Sequence, residues 1–197
     1  MFKRNPPAQD ATRLVAGLGN PGNEYAQTRH NVGFMVVDEL AKRWHLTAWK
    51  SKHDAQQAMF APQRALLVKP TKFMNSSGIP IKLIAHFYRI EPAGILVITD
   101  DVDLPFGRLR MRPGGGHGGH NGLRSVIAML DEDFPRLRVG IGRPEYETVD
   151  HVLTTFNGPE RAKLQEIIDA AADGAERWLA SGIELAMNFV NKKEQSQ

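Results

Sequence analysis

Hydrophobic positions along this chain fall into three patterns. Continuous apolar runs at Thr12–Leu18 and Ile95–Ile98 have the character of buried strands. The first runs into Gly19-Asn20-Pro21-Gly22, a tight turn that delivers Asn20 at the C-terminal end of a strand, where α/β proteins place their ligand sites. His53–Phe60 and Arg64–Lys69 read as two strands around the turn Ala61-Pro62-Gln63. Alternation with period two marks Arg108–Arg112 and Arg136–Gly142. It puts the guanidiniums of Arg108, Arg110 and Arg112 on one face, opposite Leu109 and Met111, and makes Arg136 and Arg138 share a face. Helical spacing appears at Val37, Leu40, Ala41 and Trp44, with Asn31 as an N-cap, and at Ile81, Ile84, Ala85 and Tyr88, capped by Ser76 or Ser77. A third helix is expected from about Asn121 to Leu130, and a long one begins with Pro159 in its first turn, followed by a short one over Glu184–Asn191. Strands and helices alternate, so the expected class is α/β with a mixed sheet.

Composition narrows the classes. The chain has 197 residues, 42% hydrophobic and 24% charged, which suits one soluble domain with a sizeable core. With no cysteine there is no disulfide, thiol nucleophile or Cys-ligated zinc, and a reducing compartment fits. No apolar run approaches the ~20 residues of a membrane span. Residues 1–11 are polar, contain prolines and lack the apolar core of a secretory signal, so they are expected to be a disordered extension ahead of one domain over 12–193. The net charge is only +3, yet Arg108 to Arg143 holds seven arginines against three acids clustered at Asp131–Asp133. That local basic patch fits an anionic partner such as RNA better than a membrane, because no basic amphipathic helix accompanies it.

Inside the patch lies Gly114–Gly122, six glycines with His117, His120 and Asn121. Such a run has no apolar side chains for a core, but it lets bare backbone approach a ligand closely. Two common templates are missing: there is no G-x-S-x-G serine elbow and no phosphate-binding G-x-x-x-x-G-K-[ST]. Gly17-Leu18-Gly19 opens a dinucleotide-like pattern that Asn20-Pro21 breaks. His117 and His120 stand three apart in a loop with no third ligand near in sequence, so no metal is expected. What remains is a set of amides, imidazoles and a carboxylate at element ends: Asn20, His30, Asn75, Asp100, His120 and Asn121. A histidine is the usual general base near neutral pH, a carboxylate can hold its tautomer, and asparagine amides can donate to a developing oxyanion. Read singly, most have a structural alternative: a turn for Asn20, an N-cap for Asn121, a packed ring for His120 and an acceptor for Asp100.

Together the residues are recognisable. Gly17-Leu18-Gly19-Asn20-Pro21-Gly22, Tyr25, Thr28-Arg29-His30-Asn31, Lys69-Pro70, Phe73-Met74-Asn75, Ser77-Gly78, Asp100, Asp103-Leu104-Pro105 and Gly114–Gly122 resemble the bacterial peptidyl-tRNA hydrolase family, in the right order across Arg13 to Asn191. The resemblance implies hydrolysis of the ester between a peptidyl C-terminus and the 3′ ribose of tRNA. It also implies a single α/β domain with a twisted mixed sheet surrounded by helices, no cofactor, and a cytoplasmic, monomeric enzyme with no membrane and no obligate protein partner. His30 matches the family's general base and Asp100 its orienting carboxylate, an assignment that, beside the second acid Asp101, rests on alignment with Asp103-Leu104-Pro105. Asn20 matches a residue that acts with the base and binds substrate, Asn75 and Asn121 match substrate-binding amides, and Met74 and His120 match lining residues. Tyr25 and Phe73 are expected as wall residues, and Arg112 and Arg138, with Arg124 beside them, as contacts to tRNA phosphate. The glycine stretch is then expected to grip the 3′ end, with a flexible N-terminal half. The rival readings are a module of the same fold that binds RNA in splicing without hydrolysing it, and another nucleotide-ester hydrolase.

Overall fold

The computed structural model describes residues 12–143 and 151–191. The proposed extension at 1–11, most of the irregular stretch after Gly142 (144–150) and the last residues, 192–197, lie outside the described residues. Seven strands form one sheet: β1 (Arg13–Gly17), β2 (Lys50–Lys52), β3 (Ala55–Phe60), β4 (Ala65–Pro70), β5 (Ile95–Asp101), β6 (Leu109–Arg112) and β7 (Arg136–Gly140), in the order β2-β3-β4-β1-β5-β7-β6. The inner four, β4, β1, β5 and β7, run parallel, while β2, β3 and β6 pair antiparallel to their neighbours. The mixed α/β sheet is thus the expected one. The exposed strand β2 has no counterpart in the sequence reading, because Lys-Ser-Lys carries no hydrophobic alternation.

Among the described residues, four helices with both ends defined cover the sheet: α1 (Val32–Arg43), α2 (Gly78–Tyr88), α3 (Asn121–Leu130) and α4 (Gly158–Asn191). α4 is one run interrupted at Gly182, whose φ of 79° breaks it where two separate helices were expected. Alternate residues of β5 divide the core in two. Leu96 and Ile98 pack with α1 and α4, around Val36, Leu40, Ala171 and Trp178. Ile95 and Val97 pack with α2 and α3, around Ile81, Ile84, Leu123 and Val126. Every one of these side chains is buried, so the hydrophobic effect fixes the register of the central strands, since a one-residue slip would exchange the two cores.

One close approach sets the site. A Cβ on Gly17 would sit 2.2 Å from the Gly33 carbonyl oxygen, so the first turn of α1 lies directly against the end of β1. The 3₁₀ turn Arg29–Asn31, which leads into α1, is thereby carried to the C-terminal ends of β1 and β5, all three of its residues buried.

Candidate active site

The cleft at these strand ends encloses about 420 Å³ and brings together His30 from the 3₁₀ turn, Asp100 from the end of β5 and His120 from the end of the glycine stretch. One oxygen of Asp100, Oδ1, lies 2.9 Å from His30 Nδ1 and 2.9 Å from His120 Nε2. Burial opposes ionisation of Asp100, but the two imidazoles, His120 first and His30 second, outweigh it and hold the carboxyl well below the usual carboxylate range. The stability this ionised group contributes is therefore in place above the ordinary carboxylate pKa and is lost as pH falls toward the depressed value.

The two histidines are not equivalent. His120 is the N-cap of α3, its Nδ1 accepting from the backbone N–H groups of Gly122 and Leu123 at 3.1 and 3.2 Å. Accepting there means Nδ1 carries no proton, so Nε2 carries it and donates toward Asp100 and the Thr99 hydroxyl, 2.7 Å away. Both nitrogens are committed. In His30 the Nδ1–H donates to Asp100, and Nε2 has no partner among the described residues, so it is left as an acceptor in the cleft. His30, Asp100 and His120 also place three potential ligand atoms within 4.8 Å of one another, a cluster the sequence did not reveal because its members lie in three separate segments. A metal on His120 Nε2 would require a proton on Nδ1, directed at the two backbone N–H groups that cap α3, so the residues do not fit one.

The amides are oriented by their neighbours. Asn20 Oδ1 accepts from the backbone N–H of Met74 at 2.8 Å, which leaves its NH₂ as the free end. Asn31 was expected as a helix cap. It occupies the N-cap position of α1 without capping it, and its side chain clasps the backbone of Asn20 through Asn20 N–H to Oδ1 (2.8 Å) and Nδ2–H to the Asn20 carbonyl (2.9 Å). Ser77 is displaced from its expected role in the same way: it stands at the N-cap of α2, and its hydroxyl donates to the Met74 carbonyl instead. Asn121 is the first residue of α3, since His120 takes the cap, and its Oδ1 accepts from Arg124 at 3.1 Å. Asn75 lines the cleft exposed. Phe73, 60% exposed, and Met74 are apolar lining residues of the cleft, joined there by Val102, Leu123, Val152 and Leu153, which sequence reasoning did not single out. Tyr25 stands edge-on to Phe73 at 6.4 Å and does not line the cleft.

The doubled acid divides by face. Alternation along β5 sends Asp100 to the α1 side, where His30 waits, and Asp101 to the α3 side, where Arg138 Nε lies 2.6 Å from its Oδ2. Burial outweighs this ion pair and raises the Asp101 carboxyl above its ordinary value. That job for Asp101 was legible in the alternation. Arg138 lines the cleft beside His117 and Gly118. Arg110, Arg112, Arg136 and Arg138 do share a face, paired 110 with 138 and 112 with 136 across β6 and β7. Arg136 is not available to a ligand, however: it is 1% exposed, stacks on Phe134, and donates to the carbonyls of Gly115, Gly116 and Glu132. Those contacts tie down the half of the glycine stretch that was expected to be a flexible flank. Arg112 is exposed at the far end of β6, outside the cleft, and Arg124 is exposed on α3. No helix among the described residues is long and apolar enough to cross a membrane.

Residues 14–197 match the family model described as peptidyl-tRNA hydrolase. The peptidyl-tRNA hydrolase of Synechococcus sp. (strain JA-3-3Ab) is 46% identical, the match covering 96% of this chain and 87% of that protein. The one from Desulforamulus reducens is 44% identical, over 92% and 89%. The crystal structure of peptidyl-tRNA hydrolase from Acinetobacter baumannii superposes with a TM-score of 0.86 at 35% identity, covering 95% of this chain and 97% of that one. With its overall fold and its sequence both shared with these proteins, the chain belongs to the peptidyl-tRNA hydrolase family.

Proposed function

We infer that this chain hydrolyses the ester that joins a peptidyl group to the 3′ ribose of tRNA, releasing the peptide and a tRNA free to return to translation. The observation that carries the reading is the unpartnered Nε2 of His30, the one imidazole nitrogen of the His30–Asp100–His120 cluster left able to take a proton. A water held by Nε2 and the NH₂ of Asn20 loses a proton to His30 as its oxygen attacks the ester carbonyl. Asp100 keeps His30 in the Nδ1–H tautomer and supports the imidazolium that forms. The oxyanion accepts from asparagine NH₂ groups, of which Asn20 and Asn121 are turned donor-outward by the bonds to their oxygens. Collapse of the tetrahedral intermediate expels the ribose oxygen, which takes the proton from His30, and the base is regenerated. No covalent nucleophile and no metal ion is required.

Asn75 and Asn121 hold the substrate's acyl and ribose ends, Phe73 and Met74 wall the acyl group with Tyr25 behind, and His120 shapes the floor. Arg138, steadied by Asp101, takes a backbone phosphate near the 3′ end, and Arg112 and Arg124 take phosphates farther along the acceptor stem. In this reading the enzyme works as a monomer in the cytoplasm, where translation produces its substrate. A purely RNA-binding role is not favoured, since a binding module has no use for a buried, tautomer-locked base. Purified protein incubated with N-acetyl-aminoacyl-tRNA should release the N-acetyl amino acid with turnover. RNA binding without release would instead indicate the binding module.

A further inference from the structure

We propose that Arg29 is a positioning residue that fixes the Val152–Leu153 wall of the cleft to the catalytic turn and so sets recognition of the aminoacyl side chain next to the scissile ester. The proposal rests on the hydrolase reading above. Arg29 directly precedes His30 and is 5% exposed. One guanidinium nitrogen, Nη1, donates to the Thr155 carbonyl and to the Thr154 hydroxyl, and the other, Nη2, to the Glu160 carboxylate. The same guanidinium lies 5.2 Å over the ring of Phe156. The backbone follows, with Arg29 N–H donating to the Thr154 carbonyl at 2.9 Å and Thr28 bridging Thr155.

Glu160 also closes the start of α4. Its Oε2 accepts from Asn157 N–H at 2.8 Å while its own N–H donates to Asn157 Oδ1 at 3.0 Å, a reciprocal capping box. Arg29 therefore clamps residues 154–160, from loop to helix start, onto the turn that carries the base. Val152 and Leu153, immediately before the clamp, line the cleft, and Leu153 keeps 43% of its surface exposed there. Once the ester carbonyl is beside His30 Nε2 and the ribose lies toward His117 and Arg138, the apolar lining that includes Phe73, Val152 and Leu153 is open to the aminoacyl side chain. A planar fork suits this clamp because it satisfies acceptors on both sides at once, which an ammonium cannot.

The test uses Arg29→Lys and the milder Glu160→Gln, assayed on N-acetyl-phenylalanyl-tRNA and N-acetyl-glycyl-tRNA, with thermal melting to confirm folding. One methylene more or less in an apolar pocket is worth about 10–200-fold in selectivity, so a loosened wall shows on a large side chain. Both variants should raise KM for the phenylalanyl substrate about tenfold and for the glycyl substrate about twofold, with kcat falling far less than KM rises. Equal losses on both substrates, or a fall in kcat at unchanged KM, would overturn the proposal, because Arg29 would then act on the base or on stability alone. Failure of the wild-type protein to release either amino acid would sink the hydrolase reading itself, a result distinct from equal losses in active variants.

Discussion

Each wall of the cleft sets one histidine against Asp100, and the two are used oppositely. On the α1 wall, His30 sits in a buried 3₁₀ turn, held by Asp100 at one nitrogen and bare at the other. On the α3 wall, His120 ends a run of glycines, and both its nitrogens are spent, one on the N-terminus of α3 and one on Thr99 and Asp100. The rings are 4.9 Å apart and share a carboxylate oxygen, so proximity to Asp100 does not separate them. The separation comes from what lies behind each ring. A helix start behind His120 fixes the tautomer that makes it a structural donor, whereas His30 is held in the tautomer that leaves Nε2 a free acceptor, as a base requires. A glycine-rich loop with two histidines looks like the chemical centre of the chain, yet its His120 is spent on holding, and the proposed chemistry falls to a turn with no unusual composition.

The comparison breaks first at His30. His30→Ala should lower kcat by about 10²–10⁴-fold, the usual contribution of a positioned base, while leaving tRNA affinity unchanged if the phosphates are held, as proposed, by Arg138, Arg112 and Arg124. Single-turnover release from N-acetyl-aminoacyl-tRNA alongside equilibrium RNA binding checks both halves. Substantial residual turnover would move the base to another group and erase the distinction between the walls.

How much of this could be read without coordinates depends on how local each signal is. The β5 run and the helix over Asn121–Leu130 were legible because burial marks consecutive residues, as an unbroken apolar run in the strand and as one apolar face in the helix. β2 was not, being an exposed edge strand made by pairing with β3 alone. His30 and Asp100 were visible through resemblance, and their contact across 70 residues is now explicit. The role of His120 as a cap could not be read, because the sequence offered Asn121, the commoner cap residue, one position later. Arg136 was legible as sharing a face with Arg138 but not as buried, since alternation fixes direction and says nothing about what covers the face. Here the glycine stretch covers it, with carbonyls that take the guanidinium's protons.

A middle-sized effect sharpens the comparison at His120. His120→Asn retains a side-chain acceptor for the start of α3 but cannot reach Asp100 as the imidazole does, whereas His120→Ala loses both. The alanine variant should cost about 0.5–2 kcal/mol of stability by loss of a cap, and the asparagine variant much less. Both should slow turnover, up to about a hundredfold, by letting Asp100 and the His30 ring shift. Thermal denaturation set against kcat for the two variants separates cap from donor. Equal stability for the two would mean that the cap contributes nothing.

The smallest effect lies farthest from both histidines and tests whether the basic face beyond the glycine stretch handles RNA. Arg112 and Arg136 are paired across β6 and β7, so the sequence pattern treats them alike. Arg136 spends its donors on glycine carbonyls, and burial pulls its pKa down to about 10, which leaves it charged but inward. Arg112 is exposed and has no hydrogen bond or ion pair among the described residues. If Arg112 neutralises one phosphate of the acceptor stem, Arg112→Ala should weaken tRNA binding only a few-fold at low salt. It should also reduce the slope of log K against log salt by about 0.9, the counterions released at one duplex phosphate. The rate at saturating substrate should be untouched, since Arg112 stands outside the cleft. Binding isotherms over a range of salt concentrations give the slope directly. A slope equal to wild type would remove Arg112 from the RNA contact and confine recognition to the cleft and its Asp101–Arg138 pair.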